Sequence, residues 1–118
     1  MDDQLYNYRA RIISVYDGDT VRANIDLGLG TWVMNEKLRL ARINAPELTG
    51  DERQAGLVSR DFLRGLVLDK TLIISTLKDK KGKYGRYIAE LWLKDDSGEY
   101  FNVNDRMVED GQAEYHEY

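Results

Sequence analysis

The run Tyr8-Arg9-Ala10-Arg11-Ile12-Ile13-Ser14-Val15, then Asp17-Gly18-Asp19 and Thr20-Val21-Arg22-Ala23-Asn24-Ile25-Asp26-Leu27, decides the fold. The first segment is rich in β-branched and aromatic residues and predicts a strand. Asp17-Gly18 supplies the residue types of a tight hairpin turn. The return segment alternates polar and apolar residues at period two, as a half-buried strand must. Gly28 and Gly30 mark the next turn. Trp32-Val33-Met34 and Lys37-Leu38-Arg39-Leu40-Ala41-Arg42-Ile43 continue the sheet until Asn44-Ala45-Pro46 ends it, Pro46 being the only proline.

Beyond Pro46 the pattern changes. Ala55, Val58, Phe62 and Leu66, behind the acidic pair Asp51-Glu52, predict the apolar face of an amphipathic helix. Thr71–Thr76 and Tyr87–Leu93 read as strands, with a long basic loop from Lys78 to Arg86 between them. Asp95-Asp96-Ser97-Gly98 is a turn, and Asn102–Asp110 predicts a short helix closed by Gly111. Three strands, a helix, two strands and a helix do not make βαβ units. They predict one mainly β (α+β) domain, a small antiparallel barrel with helices packed on it.

Composition excludes several chemistries. The 118 residues contain no cysteine, so a disulfide scaffold, a thiolate metal site and a cysteine nucleophile are ruled out. One histidine, His116, is too few for a two-histidine metal site and is poorly placed for a serine triad. Met1-Asp2-Asp3-Gln4 is acidic and begins no signal peptide, and no run of residues reads as a membrane span. Nothing in the sequence calls for an obligate protein partner. The net charge of −4 argues at first against a nucleic-acid ligand, but it averages two unlike parts. Residues 1–86 carry a net +3 and residues 87–118 a net −7.

Three stretches could carry chemistry. Asp17 and Asp19 share one tight turn, either as solvated hairpin acids or as ligands of a hard divalent cation. Arg39 alternates with Leu38 and Leu40, so it faces away from them, either in a salt bridge or gripping a phosphate through two N–H groups. Glu47 follows the Pro46 turn as a surface acid or a positioned base. The segment Lys78–Arg86 has five basic residues and one acid, and Tyr84 beside Arg86 places a stacking ring next to a cation. Such a run is either a solvated loop or a nucleic-acid contact.

In this order, Asp17-Gly18-Asp19-Thr20, Arg39–Glu47 and Lys83-Tyr84-Gly85-Arg86, with Val103-Asn104…Val108…Gly111 behind them, resemble the staphylococcal nuclease (thermonuclease) family. The resemblance covers about Tyr8 to Tyr115. It implies a single staphylococcal-nuclease-like domain over residues 1–118, a five-stranded OB-fold barrel with two to three flanking α-helices. It further implies Ca²⁺-dependent hydrolysis of phosphodiester bonds in single-stranded DNA or RNA. Asp19 then corresponds to a metal-ligand aspartate and Asp17 to an acid behind it. Arg39 and Arg86 correspond to the arginines that clamp the scissile phosphate, and Glu47 to the group acting on the attacking water. Lys78, Lys80, Lys81, Lys83, Tyr84 and Tyr115 would contact nucleic acid. Asn44 stands where the best-known member has a second metal-binding aspartate, so metal affinity is expected to fall. Ala45 replaces a threonine whose backbone carbonyl is the ligand, which an alanine supplies as well. The family usually continues into another helix beyond the position of Tyr118. A catalytically weak OB-fold module that binds nucleic acid or protein is the alternative.

Overall fold

The structure, a computed structural model, describes residues 6–81 and 86–116, with only the backbone of 77–81. The elements run β1 (Asn7–Asp17), β2 (Thr20–Gly28), β3 (Thr31–Leu40), β4 (Ile43–Asn44), a 3-10 turn (Gly50–Glu52) and α1 (Arg53–Val67). They continue with β5 (Thr71–Lys81), β6 (Tyr87–Lys94), β7 (Tyr100–Asn102), α2 (Val103–Glu109) and β8 (Glu114–Tyr115). Strand order is β3-β2-β1-β5-β6-β7, and β3 returns to pair with β6. Five strands therefore close into an OB-type barrel, and β7 lies outside as an extension of β6. All neighbours are antiparallel except the closing seam, where Leu38, Arg39 and Leu40 run parallel to Tyr87, Ile88 and Ala89.

Alternation fills the barrel. Ala10, Ile12, Val21, Ala23, Leu38, Leu40, Ile74 and Leu91 are all buried. The register of β1 against β2 shifts between Ile12 and Ser14 and again between Val15 and Asp17. These bulges keep Val15 inside and turn Tyr16 out, 67% exposed, next to the hairpin turn. The turn itself is Gly18-Asp19, since Asp17 already pairs with Thr20. Among the described residues no helix is long and apolar enough to cross a membrane.

Two sequence expectations need correction. The inner face of α1 is Gly56, Ser59, Leu63 and Val67, whereas Ala55 and Val58 are exposed and Phe62 and Leu66 only flank the core. Both faces repeat at helical spacing, and the helix lies so close to the barrel at its first turns that only small residues fit. A Cβ on Gly56 would sit 2.2 Å from the Glu47 carbonyl oxygen. The second correction concerns the basic segment. The backbone of 77–81 continues β5, and Lys81 pairs with Tyr87, so Lys78, Lys80 and Lys81 belong to a strand end, not a loop. Their side chains, and Lys83 and Tyr84, lie outside the described residues.

Asn104 joins α2 to the barrel. Fully buried, its amide donates to the carbonyls of Ala41 and Ala89 and accepts from Leu91 N–H. That gives both amide hydrogens and the amide oxygen a partner, and it fixes the turn after β3.

Candidate active site

The hairpin turn supplies the acids. Asp19 is 8% exposed, and each of its oxygens is engaged. Oδ1 accepts from the Thr20 hydroxyl at 3.1 Å, and Oδ2 accepts from Ala45 N–H at 2.8 Å. Asp17 Oδ1 accepts the backbone N–H of Asp19 at 3.0 Å, the bond that shapes the turn. Burial first, and then the neighbouring Asp19, push the Asp17 carboxyl up to about 6. Gly18 lets the turn press inward, since a Cβ there would lie 2.0 Å from Ser59 Oγ and 2.6 Å from Ala45 Cβ.

The barrel seam supplies the arginines. Arg39 is its central residue, in register with Ile88, and Leu38 beside it pairs with Tyr87. Arg86 immediately precedes Tyr87, so closing the barrel brings two arginines 47 positions apart in sequence to one end of it. Arg39 is 7% exposed and does face away from Leu38 and Leu40. Its guanidinium donates to the Leu40 carbonyl at 2.8 Å and to Asn44 Oδ1 at 2.5 Å, and stands 3.4 Å from Asp19 Oδ2. The Nε of Arg86 is also buried.

After β4 the chain passes through Pro46 to Glu47, whose backbone N–H donates to Glu52 at the start of α1. The opposite rim is the segment Gly111–Glu114, fixed by pairing of Asn44 with Glu114 and by the bond from Ser59 Oγ to the Gln112 carbonyl at 2.8 Å. Together these pieces enclose a cleft of about 1380 Å³. Asp17, Asp19, Arg39, Asn44, Ala45, Glu47 and Arg86 all line it. Those seven residues come from three separated parts of the chain, and the fold brings them into one space.

Tyr115 does not line that cleft. Its hydroxyl donates to Asp105 at 2.9 Å and its ring lies 5.9 Å from the Arg42 guanidinium. Arg42 forks onto Glu90 at 2.6 and 2.8 Å and reaches Asp105 at 3.0 Å. The carboxylate of Glu90 raises the Arg42 pKa further above its ordinary value. Residues that sequence reading missed do line it: Tyr16, Arg22, Lys37, Glu52 and Gly111–Glu114. Charged residues on a strand resemble any solvated surface until the register is known. The only forewarning of the last segment was Gly111, which takes a positive φ of 73° at the end of α2.

Oxygen donors of the kinds a hard cation takes line the cleft: the Asp19 carboxylate and the Asn44 amide, with Asp17 and Ala45 beside them. Among the described residues no three His, Cys, Asp or Glu side chains are grouped closely enough to hold one metal ion. Arg39 offsets the charge of Asp19 and occupies the Asn44 oxygen.

A closed OB barrel with acids, an amide oxygen and two arginines lining one cleft defines the class: an OB-fold protein with a charged cleft at one end of its barrel. The chain belongs to the staphylococcal nuclease homologue family, whose sequence model matches residues 37–118. It is also similar, at 27% identity across 91% of its length, to an uncharacterized protein of Methanocaldococcus jannaschii. The match spans 58% of that relative's length. Asp17 and Asp19 lie before the family match, and the fold carries them into it.

Proposed function

We propose that the protein is a metal-dependent nuclease that hydrolyses phosphodiester bonds in single-stranded DNA or RNA. The observation that carries this reading is the convergence of Asp19, Arg39, Glu47 and Arg86 on one cleft. Phosphodiester hydrolysis adds negative charge to the phosphoryl oxygens in its transition state, and two rigid guanidiniums can stabilise it there. Arg39 and Arg86 hold those oxygens. Glu47, exposed at the rim, orients a water and accepts its proton as the water oxygen bonds to phosphorus, the P–O ester bond breaks and the departing sugar oxygen takes a proton from solvent. Burial and the Ala45 N–H hold Asp19 in one orientation. Ca²⁺ held by Asp19, Asn44 and the Ala45 carbonyl, with Asp17 behind, would supply Lewis-acid charge at the phosphate.

The alternative is an OB-fold module that binds nucleic acid or protein and cleaves little. The contact of Arg39 with Asn44 and Asp19 favours it, because the guanidinium occupies the Asn44 oxygen and offsets the charge of Asp19, both of which a cation needs. Cleavage of labelled single-stranded DNA and RNA, with Ca²⁺ and with chelator, separates the two. The nuclease reading expects Ca²⁺-dependent products that Glu47→Gln abolishes. Equal, negligible signal in every sample would leave the binding module standing.

A further inference from the structure

The cleft is electrically divided. Its acids lie on the β1–β2 turn (Asp17, Asp19), beyond β4 (Glu47, Glu52) and on β8 (Glu114), whereas three of its four cations, Arg22, Lys37 and Arg39, lie on the β2–β3 wall. The register explains the wall. Thr20 pairs with Arg39 and Arg22 pairs with Lys37, so the second pair stands one outward row further along the same two strands. That step of two residues is roughly 6.6 Å, comparable to one nucleotide of an extended single strand. One N–H of Arg22 donates to the Asn35 carbonyl at 3.0 Å, which braces the guanidinium on the wall and occupies one of its five donors. Ser14 pairs with Arg22, and two positions on, Tyr16 protrudes from a bulge as an exposed ring lining the same cleft. Cations spaced along a wall with an aromatic ring beside them are the elements that track a single strand by phosphate contact and base stacking.

We propose that Arg22, Lys37 and Tyr16 form a further nucleotide-binding subsite, which carries the strand away from the scissile phosphate along the outer wall of β2–β3. The occupant is single-stranded nucleic acid, and the preferred ligand is an oligonucleotide, not a dinucleotide. This rests on a nucleic-acid ligand, but not on catalysis. A polyanion entering the cleft is repelled by the acidic side everywhere except where the reacting phosphate meets the arginines. The remainder of the strand must therefore lie on the cationic wall.

The test uses the full chain in chelator, where no metal-dependent cleavage occurs, with fluorescein-labelled thymidine octanucleotide and unlabelled dinucleotide as probes. Anisotropy of the first and NMR titration of the second should give tighter binding of the octanucleotide. The double variant Arg22→Ala/Lys37→Ala should weaken octanucleotide binding roughly tenfold and reduce its log–log salt slope by about 1.4, at about 0.7 per lost phosphate contact. Dinucleotide binding should be unchanged. Tyr16→Ala should weaken the octanucleotide alone without changing the slope, and Lys94→Ala, on another barrel wall, should change nothing. Tyr16, Lys37 and Lys94 are exposed and Arg22 is half-buried, so none of the truncations empties a core position, and circular dichroism checks the fold. Equal loss for both probes, an unchanged octanucleotide in the double variant, or no length preference in the wild type would each overturn the proposal. Failure of the nuclease reading would appear separately, as absent cleavage in Ca²⁺ with this binding intact.

Discussion

Arg39 and Arg42 lie three residues apart, and each meets carboxylates, but on different terms. Arg42 is half-exposed and forks onto Glu90 at 2.6 and 2.8 Å, with Asp105 and Tyr115 completing the cluster. Arg39 is buried, yet its distance to the Asp19 carboxylate is 3.4 Å, longer than the ~2.7–2.9 Å of a charge-assisted bond. The outer arginine is committed to structure in ideal geometry, pinning β4, β6, α2 and β8 together. The inner one is held by a carbonyl and an amide while its charge contact stays loose. A guanidinium at that distance from Asp19 can turn to a phosphate without breaking a short bond to that carboxylate.

Perturbing each side of this pair should separate chemistry from stability. The largest effect is expected at the cleft. Glu47→Gln should reduce cleavage by roughly 10²–10⁴-fold with little change in melting temperature, because the residue is exposed. Arg39→Ala should reduce it by roughly 10²–10³-fold and also destabilise the fold by about 3 kcal/mol, since it leaves Asp19 buried without its cation. Chemical denaturation beside initial rates checks both numbers. Gly56→Ala, which sets a methyl against the Glu47 carbonyl, should cost about 1–3 kcal/mol and lower activity per folded molecule. Asn44→Asp should tighten Ca²⁺ about tenfold by calorimetry, and unchanged affinity would remove Asn44 from the metal's ligands. The smallest effect belongs to the outer arginine. Arg42→Ala should cost about 1 kcal/mol after allowance for solvent screening, and leave kcat as it was. A large loss of kcat there would mean that the two arginines are not divided as described.

The hairpin β1–β2 could be read almost residue by residue, because alternation and turn chemistry are local signals. The cleft residues Asp17, Asp19, Arg39, Glu47 and Arg86 could be named from their motifs, although only the closed barrel explains why Arg39 and Arg86 share one cleft. The helix face could not be read correctly. Ala55, Val58, Phe62 and Leu66 satisfy helical spacing as well as Gly56, Ser59, Leu63 and Val67 do, and hydrophobicity favours the first set. What decides is the short distance between α1 and the turns at Gly18 and Glu47, a tertiary fact that selects size over hydrophobicity. Arg22 and Lys37 escaped notice for a related reason. Their meaning lies in cross-strand register, and the bulges in β1 and β2 shift that register by amounts the sequence does not display.

The parallel seam between β3 and β6 has a consequence for how the protein reaches its working state. It is three residue pairs long, joins strands separated by the whole of α1 and β5, and has Arg39 at its centre. Contacts so distant along the chain form late in folding, after the local hairpins, because long loops must close first. Until they do, Arg86 stands apart from Arg39 and one side of the cleft is missing, although the β2–β3 hairpin already sets Arg39 opposite Thr20 beside the acids. Secondary structure and much of the core can thus be recovered before the cleft is complete. During refolding, the return of ligand binding should lag behind the return of circular dichroism, and the lag measures the closing of three pairs of residues.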